Sequence, residues 1–331
     1  MNILITGAAG YIGSHSTVEL IQAGHHIVML DNLINSHKVS VNCIEKITGK
    51  NVPFIECDLR NTVLVESVLR DYMIDAVIHF AGLKSVSESI KYPIEYTANN
   101  IQSTISLLIA MKNSNIKTLV FSSSATVYGE PKYLPLDELH PVSAVNPYGR
   151  NKLHIEEMLI DLVASDPLWK IISLRYFNPV GAHESGLIGE NPIGIPNNLF
   201  PFISKVAAGE LPYLKVYGGD YPTYDGTGIR DYIHVMDLAE GHLAALRYIN
   251  KSAGYLTVNL GAGFGVSVLE VIKMYELVSH KKINYEVVER RPGDVAMCYA
   301  NVDKAKLFLN WTPKRNLNAM CASAWYFQNK L

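Results

Sequence analysis

Residues 2–13 read Asn2-Ile3-Leu4-Ile5-Thr6-Gly7-Ala8-Ala9-Gly10-Tyr11-Ile12-Gly13, and this stretch restricts the fold more than any other. Ile3, Leu4 and Ile5 form an apolar run of the kind that makes a buried strand. Three glycines follow at three-residue spacing, and Ile12, Val18, Leu20 and Ile21 then repeat as on one helix face. A glycine turn between strand and helix lets backbone N–H groups approach a diphosphate at the helix N-terminus, where the peptide dipole favours anions. Such spacing alone also fits an ordinary tight turn. The next strand pattern, His26-Ile27-Val28-Met29-Leu30, weighs against that bland reading. It ends in Asp31, about 20 residues past the glycines, where a dinucleotide fold places the acid that binds the adenosine ribose. A carboxylate there repels a 2′-phosphate, so the expected cofactor is NAD rather than NADP.

Further strand patterns at 53–57, 76–80, 118–122 and 171–174 alternate with helix patterns at 12–23, 62–72, 94–114 and 148–164. Short Ile/Val/Phe-rich strands alternating with amphipathic helices predict an α/β fold, a doubly wound parallel sheet covered on both faces. Ligands in such sheets bind at the carboxyl ends of the strands. The stretch 179–232 is rich in Gly and Pro and reads as irregular binding loops, ordered by Leu199, Phe200, Phe202, Val216 and Tyr217. Helix patterns return at 236–249, 266–279 and 316–328. The expected division is an NAD-binding domain over 1–178 and, over 179–331, a smaller C-terminal substrate-binding lobe, with segments near 230–250 returning to the first domain.

A formal net charge of −2 with no basic stripe gives nucleic-acid and membrane-surface binding no electrostatic support. Cys43, Cys57, Cys298 and Cys321 are scattered without a Cys-x-x-Cys pair, which argues against a disulfide framework or a metal site and suits a reducing cytoplasm. The start Met1-Asn2-Ile3 lacks the basic region of a signal peptide, and no apolar run approaches the roughly 20 residues that span a bilayer.

Tyr148 and Lys152 lie four apart in one helix pattern and therefore share a face. A phenol of pKa about 10 is a poor base at neutral pH, but a neighbouring ammonium favours its anion. Next to a dinucleotide site the pair makes a credible base for removing a proton from an alcohol. Asn146-Pro147 places Tyr148 in the first helical turn. Ser124, the last of three serines after a strand, is placed to hydrogen-bond the reacting hydroxyl; its bland alternative is a turn or cap serine.

These residues carry a resemblance. Thr6-Gly7-x-x-Gly10-x-x-Gly13, Asp31-Asn32, Ser122-Ser123-Ser124 and Tyr148-x-x-x-Lys152 resemble the extended short-chain dehydrogenase/reductases, which have a Rossmann-type fold. Gly10-Tyr11-Ile12-Gly13-Ser14-His15, His79-Phe80-Ala81-Gly82-Leu83-Lys84, Ser124-Ala125-Thr126-Val127-Tyr128-Gly129, Arg175-Tyr176-Phe177-Asn178-Pro179 and Asp225-Gly226-Thr227-Gly228-x-Arg230-Asp231-Tyr232 narrow it to the UDP-glucose 4-epimerases. Ala8 and Ala9 depart from a more usual Gly-containing pair. The resemblance implies that Gly7, Gly10, Tyr11, Ile12 and Gly13 hold NAD, with Asp31, Asn32 and Asn35 at the adenosine ribose and Asp58 and Leu59 near the adenine. It implies Phe80, Ala81, Gly82, Lys84, Asn99, Ser124, Tyr148, Lys152 and Tyr176 for the nicotinamide half. For the UDP-hexose it implies Ser124, Tyr148, Phe177, Asn178, Asn198, Leu199, Val216, Tyr217, Arg230, Arg291, Asp294 and Cys298. The implied reaction inverts carbon 4 of UDP-glucose or UDP-galactose through a 4-keto sugar, with Tyr148, Lys152 and Ser124 catalytic. A residue four past Asp294, here Cys298, guards the sugar pocket in this family. A small residue there implies acceptance of N-acetylated sugars, unless Tyr299 is the nearer wall. A 4,6-dehydratase shares fold and cofactor but needs acid and base groups where Ala125 and Thr126 stand. A homodimer paired through the helices near 94–114 and 148–164 is implied by resemblance alone.

Overall fold

The computed structural model describes residues 1–291 and 293–331; Pro292, within the Arg291-Pro292-Gly293-Asp294 motif, lies outside the described residues. The first half runs β1 (Asn2–Thr6), α1 (Tyr11–Gln22), β2 (His26–Asp31), α2 (Val39–Thr48), β3 (Phe54–Glu56), α3 (Thr62–Asp71), β4 (Ala76–His79), α4 (Val86–Lys91), α5 (Pro93–Asn113), β5 (Thr118–Ser124), α6 (Pro147–Ser165) and β6 (Lys170–Tyr176). The remainder runs β7 (Asn178–Val180), α7 (Leu199–Ala207), β8 (Leu214–Tyr217), β9 (Ile229–Arg230), β10 (Tyr232–His234), α8 (Val235–Ile249) and β11 (Gly254–Leu260). It ends with β12 (Val266–Ser267), α9 (Val268–Ser279), β13 (Tyr285–Val288), β14 (Met297–Cys298), α10 (Asp303–Leu309) and α11 (Leu317–Gln328).

Seven strands form one parallel sheet in the order β11-β6-β5-β4-β1-β2-β3. Alternate residues of each strand serve opposite layers. Ile3 and Ile5 of β1 pack with Val18 and Leu20 of α1 and with Leu243 and Leu246 of α8. Leu4, between them, packs with Val65 of α3, Leu107 and Met111 of α5 and Ile155 of α6. All are buried, and each such side chain stabilises the fold by roughly 1.5–3 kcal/mol. The direction of winding reverses between β1 and β4, which opens a crevice at their carboxyl ends.

The structure departs from the sequence pattern in several places. β5 continues to Ser124 and β6 to Tyr176, so those residues end strands rather than follow them. The stretch read as loops over 179–232 contains β7, α7, β8, β9 and the start of β10. The helix pattern at 266–279 begins with a strand pair, and its helix starts at Val268 with a reciprocal cap between Ser267 and Glu270. Gly254–Leu260, which showed no clear pattern, is the seventh strand of the main sheet. α8 packs on α1, and α10 on α8 and β11.

The other core joins Phe200 and Ile203 of α7, Val216 of β8, Tyr275 of α9 and Met320 of α11. Asp231 links this lobe to the sheet. Its carboxylate is fully buried and accepts hydrogen bonds from the N–H groups of Ala262 (2.6 Å), Gly263 (3.0 Å) and Ala300 (3.1 Å). Burial pushes its carboxyl up to about 6, and the three amides work against that. Among the described residues no helix is long and apolar enough to cross a membrane.

Candidate active site

The crevice between β1 and β4 is shaped by missing side chains. Gly7 takes φ +68°, and a Cβ on it would lie 2.7 Å from the nitrogen of Ala81. A Cβ on Gly13 would lie 2.3 Å from the Gly7 carbonyl oxygen, so only glycine lets α1 start this close to β1. Gly10 is the helix N-cap, with no capping side chain and no acid in the first turn. The amides of Tyr11, Ile12 and Gly13 therefore open the helix without a competing anion.

Asp31 sits at the end of β2. Its Oδ2 accepts from the Ala9 N–H (3.0 Å), and its Oδ1 from the Leu33 N–H (2.9 Å) and the Ser36 hydroxyl (2.8 Å). The acid thereby fixes both the glycine turn and the loop carrying Asn32 and Asn35. Asn32 bonds Asp58, and Arg60 clamps the same carboxylate at 2.9 and 2.6 Å. The Arg60 hydrogen bond is the main force holding Asp58 down to about 2. Leu59 is buried in the core beneath, and Asn35 is exposed.

The loop after β4 carries Phe80, Ala81, Gly82 and Lys84. Asn100 of α5 clamps it, accepting from the Leu83 N–H (2.7 Å) and donating to the Leu83 carbonyl (2.9 Å). A Cβ on Gly82 would stand 4.0 Å from Lys152 Nζ, so this loop passes directly over the lysine. Phe80 packs on His242 of α8, which also hydrogen-bonds the Tyr176 hydroxyl. Lys84 pairs with Glu190 at 3.0 Å, and the same Glu190 oxygen accepts from Asn198 Nδ2 at 2.6 Å. Asn99 is half-buried beside the Asn100 clamp.

Tyr148, Lys152 and Ser124 come together at the carboxyl end of β5. Asn146 caps α6 by accepting from the Gly149 N–H at 2.8 Å, which fixes Tyr148 in the first turn. A Cβ on Gly149 would meet the Thr126 carbonyl oxygen at 2.8 Å, so its absence lets the helix start against the Ser124 turn. Ser124 accepts from the N–H of Thr126 (3.2 Å) and its hydroxyl (3.0 Å) and also hydrogen-bonds Tyr148. It is thus both a turn cap and a neighbour of the phenol. Lys152 is buried, donates to the Ser122 carbonyl at 2.6 Å, and stands 5.9 Å from the Tyr148 ring centre. Burial pushes the Tyr148 phenol up to about 12 while Ser124 pulls it down. Burial also pulls the Lys152 ammonium down to about 8, opposed by Glu156.

The opposite wall comes from the C-terminal lobe. Cys298 of β14 pairs with Arg230 of β9 and packs beside Val127, Tyr128 and Phe177, the layer just behind Ser124. Burial pushes its thiol up to about 11. Arg230 pairs with Asp294 at 3.8 Å, not with its neighbour Asp231, which faces inward. Arg291 stacks on Tyr217 at 4.2 Å. Asn178 is exposed at the start of β7, Leu199 begins α7, and Val216 is buried under Tyr217. Asn100, Glu156, Glu190 and His242 escaped the sequence reading; Glu156 alone had a signal, standing four past Lys152.

A parallel sheet with a glycine cradle at its winding reversal and an acid at the end of β2 defines a dinucleotide-binding α/β protein of the Rossmann class. The chain belongs to the NAD dependent epimerase/dehydratase family, whose model matches residues 3–261. It is 53% identical to the UDP-glucose 4-epimerase of Bacillus subtilis, over 99% of this chain and 97% of that one. The structure of the UDP-glucose 4-epimerase of Stenotrophomonas maltophila, with bound NAD and formylated UDP-arabinopyranose, superposes with a TM-score of 0.98 at 48% identity, covering 100% of this chain and 98% of that one. The Bifidobacterium longum UDP-glucose 4-epimerase, in complex with NAD+ and UDP, gives 0.97 at 51% identity and the same coverage.

Proposed function

We propose that the chain interconverts UDP-glucose and UDP-galactose at sugar carbon 4, using NAD it retains, and that it also acts on UDP-N-acetylglucosamine and UDP-N-acetylgalactosamine. The observation that carries this reading is the convergence of Tyr148, Lys152 and Ser124 under Gly82 and beside the Arg230–Cys298 strand pair. NAD fits the residues present: the cradle of Gly7, Gly10 and Gly13 has no room for a Cβ at two of its positions, and Asp31 ends β2 as an ionisable acceptor. When bound, NAD supplies the acceptor and donor of a hydride.

The chain's own residues do the rest. Tyr148 takes the proton of the 4-hydroxyl, and Ser124 orients that hydroxyl. Burial alone would keep the phenol protonated; the Lys152 ammonium and the Ser124 hydrogen bond favour its anion. Loss of that proton and of the carbon-4 hydride leaves a 4-keto sugar, which turns about its link to the diphosphate and regains both with inverted configuration. This requires the UDP to be held firmly and the sugar loosely. Arg230 and Arg291 carry planar forks suited to a diphosphate, and Asn178 and Asn198 are exposed. The wide sugar preference rests on Cys298, which packs toward the catalytic layer, while the Tyr299 ring lies against Gly265. Ile94, Ile105 and Ile109, exposed on one face of α5, and Ile160 on the adjacent α6 support a homodimer through these helices. Four free cysteines support a reducing, cytoplasmic setting.

The test supplies UDP-galactose and, separately, UDP-N-acetylgalactosamine to purified protein without added NAD, with products resolved by proton NMR. Conversion of both is expected. Conversion of UDP-galactose alone would discard the Cys298 argument, and conversion of neither with NAD supplied would overturn the reading.

A further inference from the structure

Behind the tyrosine and lysine lies a buried ion pair that the proposed chemistry does not use. Glu156 follows Tyr148 and Lys152 at the same four-residue spacing on α6 and is buried to within 2% of its surface. Arg175 of β6 holds it with two hydrogen bonds, Nε at 3.0 Å and Nη2 at 2.6 Å. The Ser123 hydroxyl donates to the same Glu156 Oε1 at 2.5 Å. Ser123 and Arg175 are themselves paired partners on adjacent strands. Three successive serines at the end of β5 are therefore each fastened to one face of α6: Ser124 to Tyr148, Ser123 to Glu156, and the Ser122 carbonyl to Lys152.

Resting on the proposed reaction, we infer that Glu156 is a positioning residue: it sets the register of α6 on β5 and keeps Lys152 cationic beside Tyr148. Lys152 faces Tyr148 and Glu156 on its own helix and His79 on β4; the Phe121 ring and Ser122 carbonyl come from β5. His79 is held neutral by burial, with its nitrogens on Thr6 and Thr104, and burial works against an anion at Tyr148. The Glu156 carboxylate is the anion opposing the loss of charge at Lys152. Arg175 pairs with that carboxylate in a dry interior, where an unpaired charge would be costly.

The experiment titrates Lys152 directly in lysine-13C-labelled holoenzyme, with the resonance assigned by Lys152→Arg, and records the pH profile of kcat in parallel. Glu156→Gln is expected to move both the titration and the alkaline limb of kcat down by about one pH unit, with KM for UDP-galactose little changed. The double variant Glu156→Met/Arg175→Met leaves no orphan charge and is expected to shift both in the same direction by less, because the repelling Arg175 cation is removed too. Ser123→Ala keeps the ion pair and is expected to lower kcat severalfold with the titration in place. An unmoved titration in the two charge variants would overturn the inference, as would failure of both to fold, which would assign the pair to the scaffold alone. The titration needs no turnover, so it is read separately from the reaction: residual full activity in Tyr148→Phe would instead sink the proposed function.

Discussion

At the scale of single residues, the proposed reaction depends on the charge states of two side chains. Tyr148→Phe is expected to lower kcat by about 100- to 10,000-fold, the usual range for a positioned acid–base group. UDP affinity, measured by calorimetry, should stay essentially unchanged because the phenol is not among the anchors. Lys152 is cationic below its depressed pKa of about 8 and loses its support for the phenolate above it. The kcat profile should therefore fall on the alkaline side of about pH 8, and Lys152→Met should remove that limb along with most of the activity. Cys298→Tyr should abolish turnover of UDP-N-acetylgalactosamine while costing UDP-galactose less than about tenfold, as competition assays with both sugars would report. These residues were legible from spacing because Tyr148, Lys152 and Ser124 sit close in sequence. Asn100, His242 and Glu190 were not, because their roles come from partners up to 106 residues away, as in the Lys84–Glu190 pair. Strand geometry turns alternate residues to opposite faces, so Arg230 meets Asp294 while Asp231, next to it in sequence, faces inward.

At the scale of elements, the glycine cradle fixes where α1 begins. Gly13→Ala would push a methyl within 2.3 Å of a backbone oxygen that has no slack to move. We expect a destabilisation of about 1–3 kcal/mol, read as a lowered Tm, and loss of retained NAD on dialysis. Helices with a clear apolar face and a strong start signal, such as α5 and α6 with Pro at the first position, were readable. The seven-residue α10 and the six-residue α4 are too short for periodicity to emerge. β11 was missed because Gly-Tyr-Leu-Thr-Val-Asn-Leu looks like half a strand until β6 lies beside it. Its pairing spans most of a domain, and local sequence does not encode it.

At the scale of the whole molecule, α5 and α6 present exposed isoleucines to solvent in the single chain. Ile109→Glu is expected to convert a dimer to a monomer in sedimentation while leaving the circular dichroism spectrum intact; an unchanged mass would remove the proposed interface. The C-terminal lobe is tied to the sheet in part through backbone groups. Asp231 grips Ala262, Gly263 and Ala300 through their amide N–H groups. Cys298 and Tyr299 join that wall through backbone, the Cys298 carbonyl accepting from the Asp231 N–H (3.0 Å) and the Tyr299 carbonyl from the Leu136 N–H (2.9 Å). At these positions anchoring is thus written in backbone groups and shape in side chains. On the proposed reading, a lineage carrying this arrangement can exchange the residue at 298 and change which sugars it accepts without reopening the problem of how the wall stays up.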